Sequence, residues 1–472
     1  MQTNLTPRPP SLRGKGVNCE PPLSGRGTAA TRLHYDASPP VEFPSASPPS
    51  LLGKGVGGLG LRAALLLVAV ILTATGPHAA EPTTHDDRYT PVVTPNGSTL
   101  PWVMDNGVKV FHLTAEPVKR EFAPGLIVDC WGYNGQTPGP TIEAMEGARV
   151  RIFVTNKLAT PTTVHWHGIL LPNGMDGVAG LTQKPIQPNE TFKYEFTLRQ
   201  NGTYMYHPHF DEMTQIGMGM MGFIIIHPKD KEEPKVDRDF AIMLAEWFIP
   251  IGGTRPDPSV MLDFNQFTMN SKVYPGTDAL VVKKGERVRI RLGNVSMDNH
   301  PIHLHGNQFK VTATGGARVI DEHQLEANTV DVPPGSTRDF EFVANELGDW
   351  PFHCHKTHHT MSGMGHGLPN VLNVELGDTA DKIRKLVPGF MEMGKYGMGE
   401  MADMQMGQPR NTLPIAYSGP FSPIEMGGMF TVLKVRENLK DYSDPGWYKH
   451  PEGTVAGPVP ESEVPQELRA HP

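Results

Sequence analysis

Apolar residues along this chain recur in short alternating runs rather than in long helical stripes. Val150-Arg151-Ile152-Phe153-Val154, Phe192 to Leu198, Phe223 to Ile226, Val288 to Leu292 and Phe340 to Val343 carry the pattern of half-buried strands. Between them lie turn formers, with 50 glycines and 46 prolines in 472 residues, which leave little room for long helices. The prediction is an all-β protein.

The pattern is also duplicated. Gly147-Ala148-Arg149-Val150-Arg151-Ile152 matches Gly285-Glu286-Arg287-Val288-Arg289-Ile290, and the same offset carries His165 onto His303 and His167 onto His305. At a slightly longer offset, Gly202-Thr203-Tyr204-Met205-Tyr206-His207-Pro208-His209 matches Gly348-Asp349-Trp350-Pro351-Phe352-His353-Cys354-His355. Two tandem copies of one β-rich unit follow, over residues 81–230 and 231–377, with the polar stretch Pro228 to Asp239 as their linker. Short strands at this spacing predict a Greek-key barrel or sandwich. Residues 378–472 form a region apart, a C-terminal extension rich in Met, Gly and Pro.

Residues 1–80 read as a leader. Arg62 precedes the apolar run Ala63 to Ala74, and small residues near Ala79 and Ala80 offer a cleavage site, so an export signal is expected. The alternative is a buried core helix. The run is short of the roughly 20 apolar residues that span a bilayer, so no membrane span is expected in the mature protein. No Arg-Arg pair precedes it, which favours the general secretory route. Pro9 to Val17 recurs almost intact as Pro48 to Val56, and the true start is expected close to the hydrophobic run. The chain is read as periplasmic or otherwise exported. A net charge of -8 and a pI near 6.2, with no basic run interleaved with aromatics, exclude nucleic acid as a partner.

Export into an oxidising compartment makes the cysteines informative. There are three, and Cys19 belongs to the leader. Cys130 and Cys354 could pair, but the surroundings of Cys354 point to another task. Cys130 reads as a small buried hydrophobe. Four His-x-His pairs occur: His165/His167, His207/His209, His303/His305 and His353/His355. In a strand, alternate side chains share a face, so each pair can aim two imidazoles at one place. Neutral imidazole suits copper. The middle residue of the last pair, Cys354, must point the other way. His359 and Met364 follow it, and His300 supplies a further imidazole. A His2Cys set with a weak axial Met is the blue-copper electron-transfer site.

His165-Trp166-His167-Gly168, His207-Pro208-His209, His300 to Gly306, and His353-Cys354-His355 through His359 to Met364 resemble the four copper motifs of multicopper oxidases. Asn134 to Thr141 is similar to a flanking segment of the same family. The resemblance spans about residues 100–377 and implies two tandem cupredoxin-like Greek-key barrels with four coppers per chain. It implies a type 1 copper on His300, Cys354, His359 and Met364, and a type 2 copper on His165 and His303. The type 3 pair would take His167, His207, His209, His305, His353 and His355. Thr162, Pro208 and Met213 stand in domain 1 where His300, Cys354 and His359 stand in domain 2, so only domain 2 can hold a blue copper. His209 and His300 are too close for an intervening domain. That places the chain near the two-domain small laccases, which implies a homotrimer with each cluster built between neighbouring subunits. Closure within one chain stays open.

The resemblance also suggests that Asp176 manages protons near the type 2 site, though Asp176-Gly177 is equally a common turn. His358 is expected to sit beside the ligands rather than among them. Thr360 stands where some relatives carry a carboxylate, which removes that proton route. Met391, Met393, Met398, Met401, Met404 and Met406, with the group Met213, Met218, Met220 and Met221, suggest Cu(I) handling, since thioethers favour the cuprous ion. The alternative for both groups is adaptable packing. The expected activity is a cuprous or phenol oxidase that reduces O2 to water in copper tolerance. The rival expectations are a copper nitrite reductase and a non-enzymatic periplasmic copper-binding protein.

Overall fold

A computed structural model describes residues 82–361 and 417–468, apart from 85, 231–233, 251, 252, 263, 425 and 467, with 382 and 385 as isolated positions. The leader, with Cys19, and the methionines from Met391 to Met406 lie outside the described residues. No described helix is long and apolar enough to cross a membrane.

Strand Arg149–Asn156 shows how alternation becomes structure. Val150, Ile152 and Val154 are buried, while the intervening side chains stay partly open. It pairs in parallel with the long strand Val108–Ala123 and antiparallel with Thr191–Thr197. Facing this sheet is a second, ordered Gly139–Met145, Gly222–His227, Gly202–His207, His165–His167. Trp166, Ile152, Phe111 and Tyr206 fill the space between them. The non-sequential order is that of a Greek-key barrel.

The second barrel repeats the plan. One sheet runs Arg238–Trp247, Arg287–Asn294, Ser336–Val343, Phe309–Thr314. The other runs Leu280–Lys283, Phe430–Arg436, Gly348–Cys354, His300–Leu304, Thr329–Val332. One expectation needs correcting here. Residues 378–472 were set apart by composition, yet Phe430–Arg436 lies inside the second barrel, parallel to Leu280–Lys283 and antiparallel to Gly348–Cys354. Its run of β-branched and apolar residues, buried on both faces, is a strand signal that the surrounding Met, Gly and Pro obscure.

The methionine group at 213–221 also divides. Met218, Met220 and Met221 are buried core residues, and only Met213 is exposed. Those three serve packing, not metal capture. Met221 belongs to a third core where the barrels meet, with Phe122, Val128, Met205, Met243 and Trp247. Cys130 lies in the same core as a free thiol, as a small apolar residue would.

Beside that core runs a buried ionic clamp. Arg291 donates to both oxygens of Asp239 at 2.8 Å, to Asp339 at 3.1 Å and to the Thr203 hydroxyl at 2.6 Å. Thr203 in turn donates to Asp339 at 2.7 Å. Since Thr203 sits in the domain 1 strand that ends at His207, the clamp ties that strand to domain 2. Replacing Arg291 with Met leaves Asp339 without an ion-pair partner and Asp239 with only the more distant Arg289 at 3.4 Å, and breaking such a buried pair costs about 3–5 kcal/mol. Urea unfolding of Arg291→Met is expected to show that loss, and a change below about 1 kcal/mol would remove the clamp from the account.

Candidate metal centre

In three of the His-x-His motifs the middle side chain, Trp166, Leu304 or Cys354, belongs to a barrel core and the flanking imidazoles point away from it. Trp166 and Cys354 are fully buried, as is Leu304. The histidines on either side are only partly covered, and His355 is exposed. Each motif containing Gly exits through a left-handed glycine, Gly168 at φ 84° and Gly306 at φ 65°. A Cβ on these would strike the rings of Tyr204 and Trp350 at 2.9 Å and 2.3 Å, so only glycine serves there.

Two four-histidine sets result, built alike. In domain 1, His165 is the hub, with ring centroids 5.7, 5.3 and 5.6 Å from those of His167, His207 and His209. In domain 2, His303 is the hub, 4.7, 5.7 and 5.5 Å from His305, His353 and His355. Backbone carbonyls fix four of the rings. The Nδ1–H groups of His165, His207, His303 and His353 point at the carbonyls of Asp176, Pro208, Asn328 and Cys354, at 2.8, 2.9, 2.7 and 2.7 Å. That tautomer leaves each Nε2 as an open lone pair for a metal. His167 Nδ1 faces His207 Nε2 at 3.2 Å, and His305 Nε2 faces His353 Nε2 at 3.0 Å. Among the described residues, no ring contact or hydrogen bond joins one set to the other.

Opposite the domain 2 set, on the inner side of the same strand, His300, Cys354 and His359 converge. His300 Nδ1 and His359 Nδ1 are 3.1 Å apart, and Cys354 Sγ lies 4.0 and 3.7 Å from them. The other nitrogens face carboxylates: His300 Nε2 lies 3.6 Å from Glu246 and His359 Nε2 lies 3.5 Å from Asp298. Protons on those outer nitrogens put lone pairs on both Nδ1 atoms, aimed at each other and at sulfur. Such a cluster is repulsive unless a cation sits within it, and a buried His2Cys set suits copper. Phe267 stacks on His359 at 4.0 Å and holds the ring. Met364 lies outside the described residues.

Burial keeps His207, His300 and His359 neutral, as metal binding requires. It pulls His207 down to about 3 and His359 to about 4, and His300 well below its ordinary value. It pushes the Cys354 thiol up to about 12, so a metal is needed to hold the thiolate. Domain 1 has no counterpart of this trio. Thr162, at the position of His300, donates instead to Gln215 Oε1 at 2.6 Å, both fully buried.

Asp176 stands where the sequence pointed, its carboxylate 3.4 Å from His165 Nδ1 and its carbonyl fixing that ring. His358 is exposed on the short helix Thr357–Thr360, while His359 of the same helix is buried. Thr360 donates to the Cys354 carbonyl. Sequence reasoning missed Glu246, Asp298 and Glu212, the last lying 3.6 Å from His207 and 3.7 Å from His209. For Glu246 a signal existed: one acid in the otherwise apolar run Ala241 to Trp247.

Comparison with known proteins agrees with this geometry. Residues 114–231 and 253–371 each match a family pattern described as multicopper oxidase. Copper resistance protein A of Escherichia coli is 43% identical over 114 residues, which cover 24% of this chain and 18% of that relative. The chain spans less than a third of the length of the first curated relatives it matches. Among solved structures, the multicopper oxidase mgLAC is 34% identical with a TM-score of 0.50, covering 54% of this chain and 81% of its own. A blue copper oxidase from Nitrosomonas europaea is 27% identical with a TM-score of 0.51, covering 69% and 85%. Both halves of the duplication are matched, each carries its set of converging imidazoles, and the chain therefore belongs to the multicopper oxidase family, with copper as its metal.

Proposed function

We propose that this protein takes single electrons from a donor, Cu(I) ahead of phenols, and delivers them to O2, which gains four electrons and four protons to become two waters. The observation that carries the reading is Cys354, whose thiol joins the buried trio while its own carbonyl accepts the His353 Nδ1–H at 2.7 Å. Peptide bonds and that hydrogen bond thus link the trio to the outer histidines by a short path. His300, Cys354, His359 and Met364 would hold the type 1 copper, and the eight paired histidines would hold the type 2 copper and the type 3 pair. Bound copper supplies one-electron redox chemistry at the first and oxygen reduction at the second.

The donor would reach the rim of the trio at Met297 and Asp298. Met297 is exposed, and the Asp298 carboxylate lies 3.5 Å from His359 Nε2. An exposed thioether at that rim favours a cuprous ion as the donor. Asp176, whose carboxylate lies 3.4 Å from His165 Nδ1, would pass protons to the histidine sets. The likeness to a protein named copper resistance protein A supports a role in copper tolerance, and the leader pattern supports a periplasmic or otherwise exported site.

Completion of the oxygen site would need a second copy of the chain. The two histidine sets lie on separate barrels, both partly open to solvent, and a head-to-tail contact brings domain 1 of one copy against domain 2 of the next. Such contacts form a ring when the rotation between copies closes, and a homotrimer is the expected assembly.

Three measurements test this reading. Oxygen uptake driven by Cu(I), with four coppers counted per chain, is expected; two coppers with nitrite-dependent turnover would favour a nitrite reductase, and copper without turnover a storage protein. Asp176→Asn is expected to slow oxygen reduction by about 10²-fold with the blue colour retained. Unchanged turnover would take Asp176 out of the mechanism. Solution mass should be that of a trimer, and a monomer holding all four coppers would overturn the shared cluster.

A further inference from the structure

Glu246 lies in strand Arg238–Trp247 with its side chain almost fully buried, and no lysine or arginine forms an ion pair with it among the described residues. An unpaired acid in such a place is costly unless donors meet it. One oxygen, Oε1, accepts the backbone N–H groups of Met297 and Asp298, each at 2.6 Å. The other, Oε2, has no hydrogen-bond partner, and neither does His300 Nε2. These two orphaned atoms face one another at 3.6 Å. A small closing movement satisfies both, whereas nothing else described offers either a partner.

The geometry makes Glu246 a bracket for both imidazoles of the buried trio. It holds the segment leading into His300 through Oε1 and sets Oε2 3.6 Å from the ring nitrogen of His300. Through the Asp298 backbone it also places the carboxylate that faces His359 Nε2 at 3.5 Å. A ligating histidine commonly hands its second N–H to a carboxylate, which fixes the ring and raises its basicity. The two backbone N–H groups on Oε1 and the His300 Nε2 facing Oε2 are groups that a carboxylate can accept from.

We infer that Glu246 is a positioning residue for the type 1 copper: it orients His300 with Nδ1 toward the metal and, through its charge, favours the more positive, oxidised state. This rests on the placement of a type 1 copper at His300, Cys354 and His359 proposed above. Glu246→Gln is the discriminating change. Its amide oxygen keeps the two backbone hydrogen bonds, while its NH2 group can only donate toward His300 Nε2–H.

The experiment is a redox titration of the copper-loaded full chain at pH 8, wild type against Glu246→Gln, followed by visible absorption and electron paramagnetic resonance. Expected are an unchanged unfolding temperature, an altered blue band and copper hyperfine splitting, and at least a tenfold shift of the equilibrium toward Cu(I). For one electron that shift is a rise of about 59 mV. A shift under twofold with an identical spectrum overturns the inference. If Glu246→Gln does not fold, the copper-loaded wild-type structure decides. Oε2 within about 3.2 Å of His300 Nε2 supports the bracket, and a carboxylate turned to another partner overturns it. A wild type with no blue copper would instead sink the underlying placement, so the two failures are separable.

Discussion

In strand Gly348–Cys354 the Cys354 side chain turns into the apolar core while His353 and His355 turn outward, and this two-residue pleat divides the chemistry into an inner and an outer site. A slip of one residue would drive two imidazoles into the core and leave the thiol in water. The register is held from both sides. Ile302 pairs with Cys354 and His303 with His353, while Phe352 pairs with Thr431. The late strand Phe430–Arg436 therefore bears on the site, and its first residue, Phe430, sets its ring 6.5 Å from that of His353. The same pleat on the neighbouring strand sets His303 and His305 outward and Leu304 inward.

Duplication explains both the symmetry and its single break. The outer histidine sets match hub for hub, His165 with His303, because both barrels kept the same strand pairing. The inner site survived in one barrel only. In domain 1 the hydrogen bond from Thr162 to Gln215 fills its place, and Trp166 occupies the core behind the histidines. Under the proposed function, electrons would then enter at one point per chain. The clamp of Arg291, Asp239, Asp339 and Thr203 matters for the same reason, since it fixes the strand ending at His207 against the barrel that carries the thiol.

Much of this was legible in the sequence because metal ligands obey short-range rules. His-x-His spacing and strand alternation are local, so the paired imidazoles and the inward Cys354 could be read residue by residue. The all-β class followed from the same alternation. What escaped were contacts made by tertiary packing. Glu246 lies more than fifty positions before His300, and only the sheet brings its carboxylate to the ring. The strand at 430–436 was hidden by the composition around it. Met218, Met220 and Met221 misled because thioether chemistry and core packing leave the same mark in a sequence, and only burial separates them.

The central claim is that one thiol-centred copper within a chain feeds an oxygen site shared between chains. Anomalous diffraction at the copper edge, from crystals of the copper-loaded protein, tests it most directly. The account predicts one peak enclosed by His300, Cys354 and His359 of a single chain. It predicts three more where His165, His167, His207 and His209 of one copy meet His303, His305, His353 and His355 of the next. Copper bound at only one of the outer histidine sets, or all three outer peaks enclosed by a single chain, would contradict it.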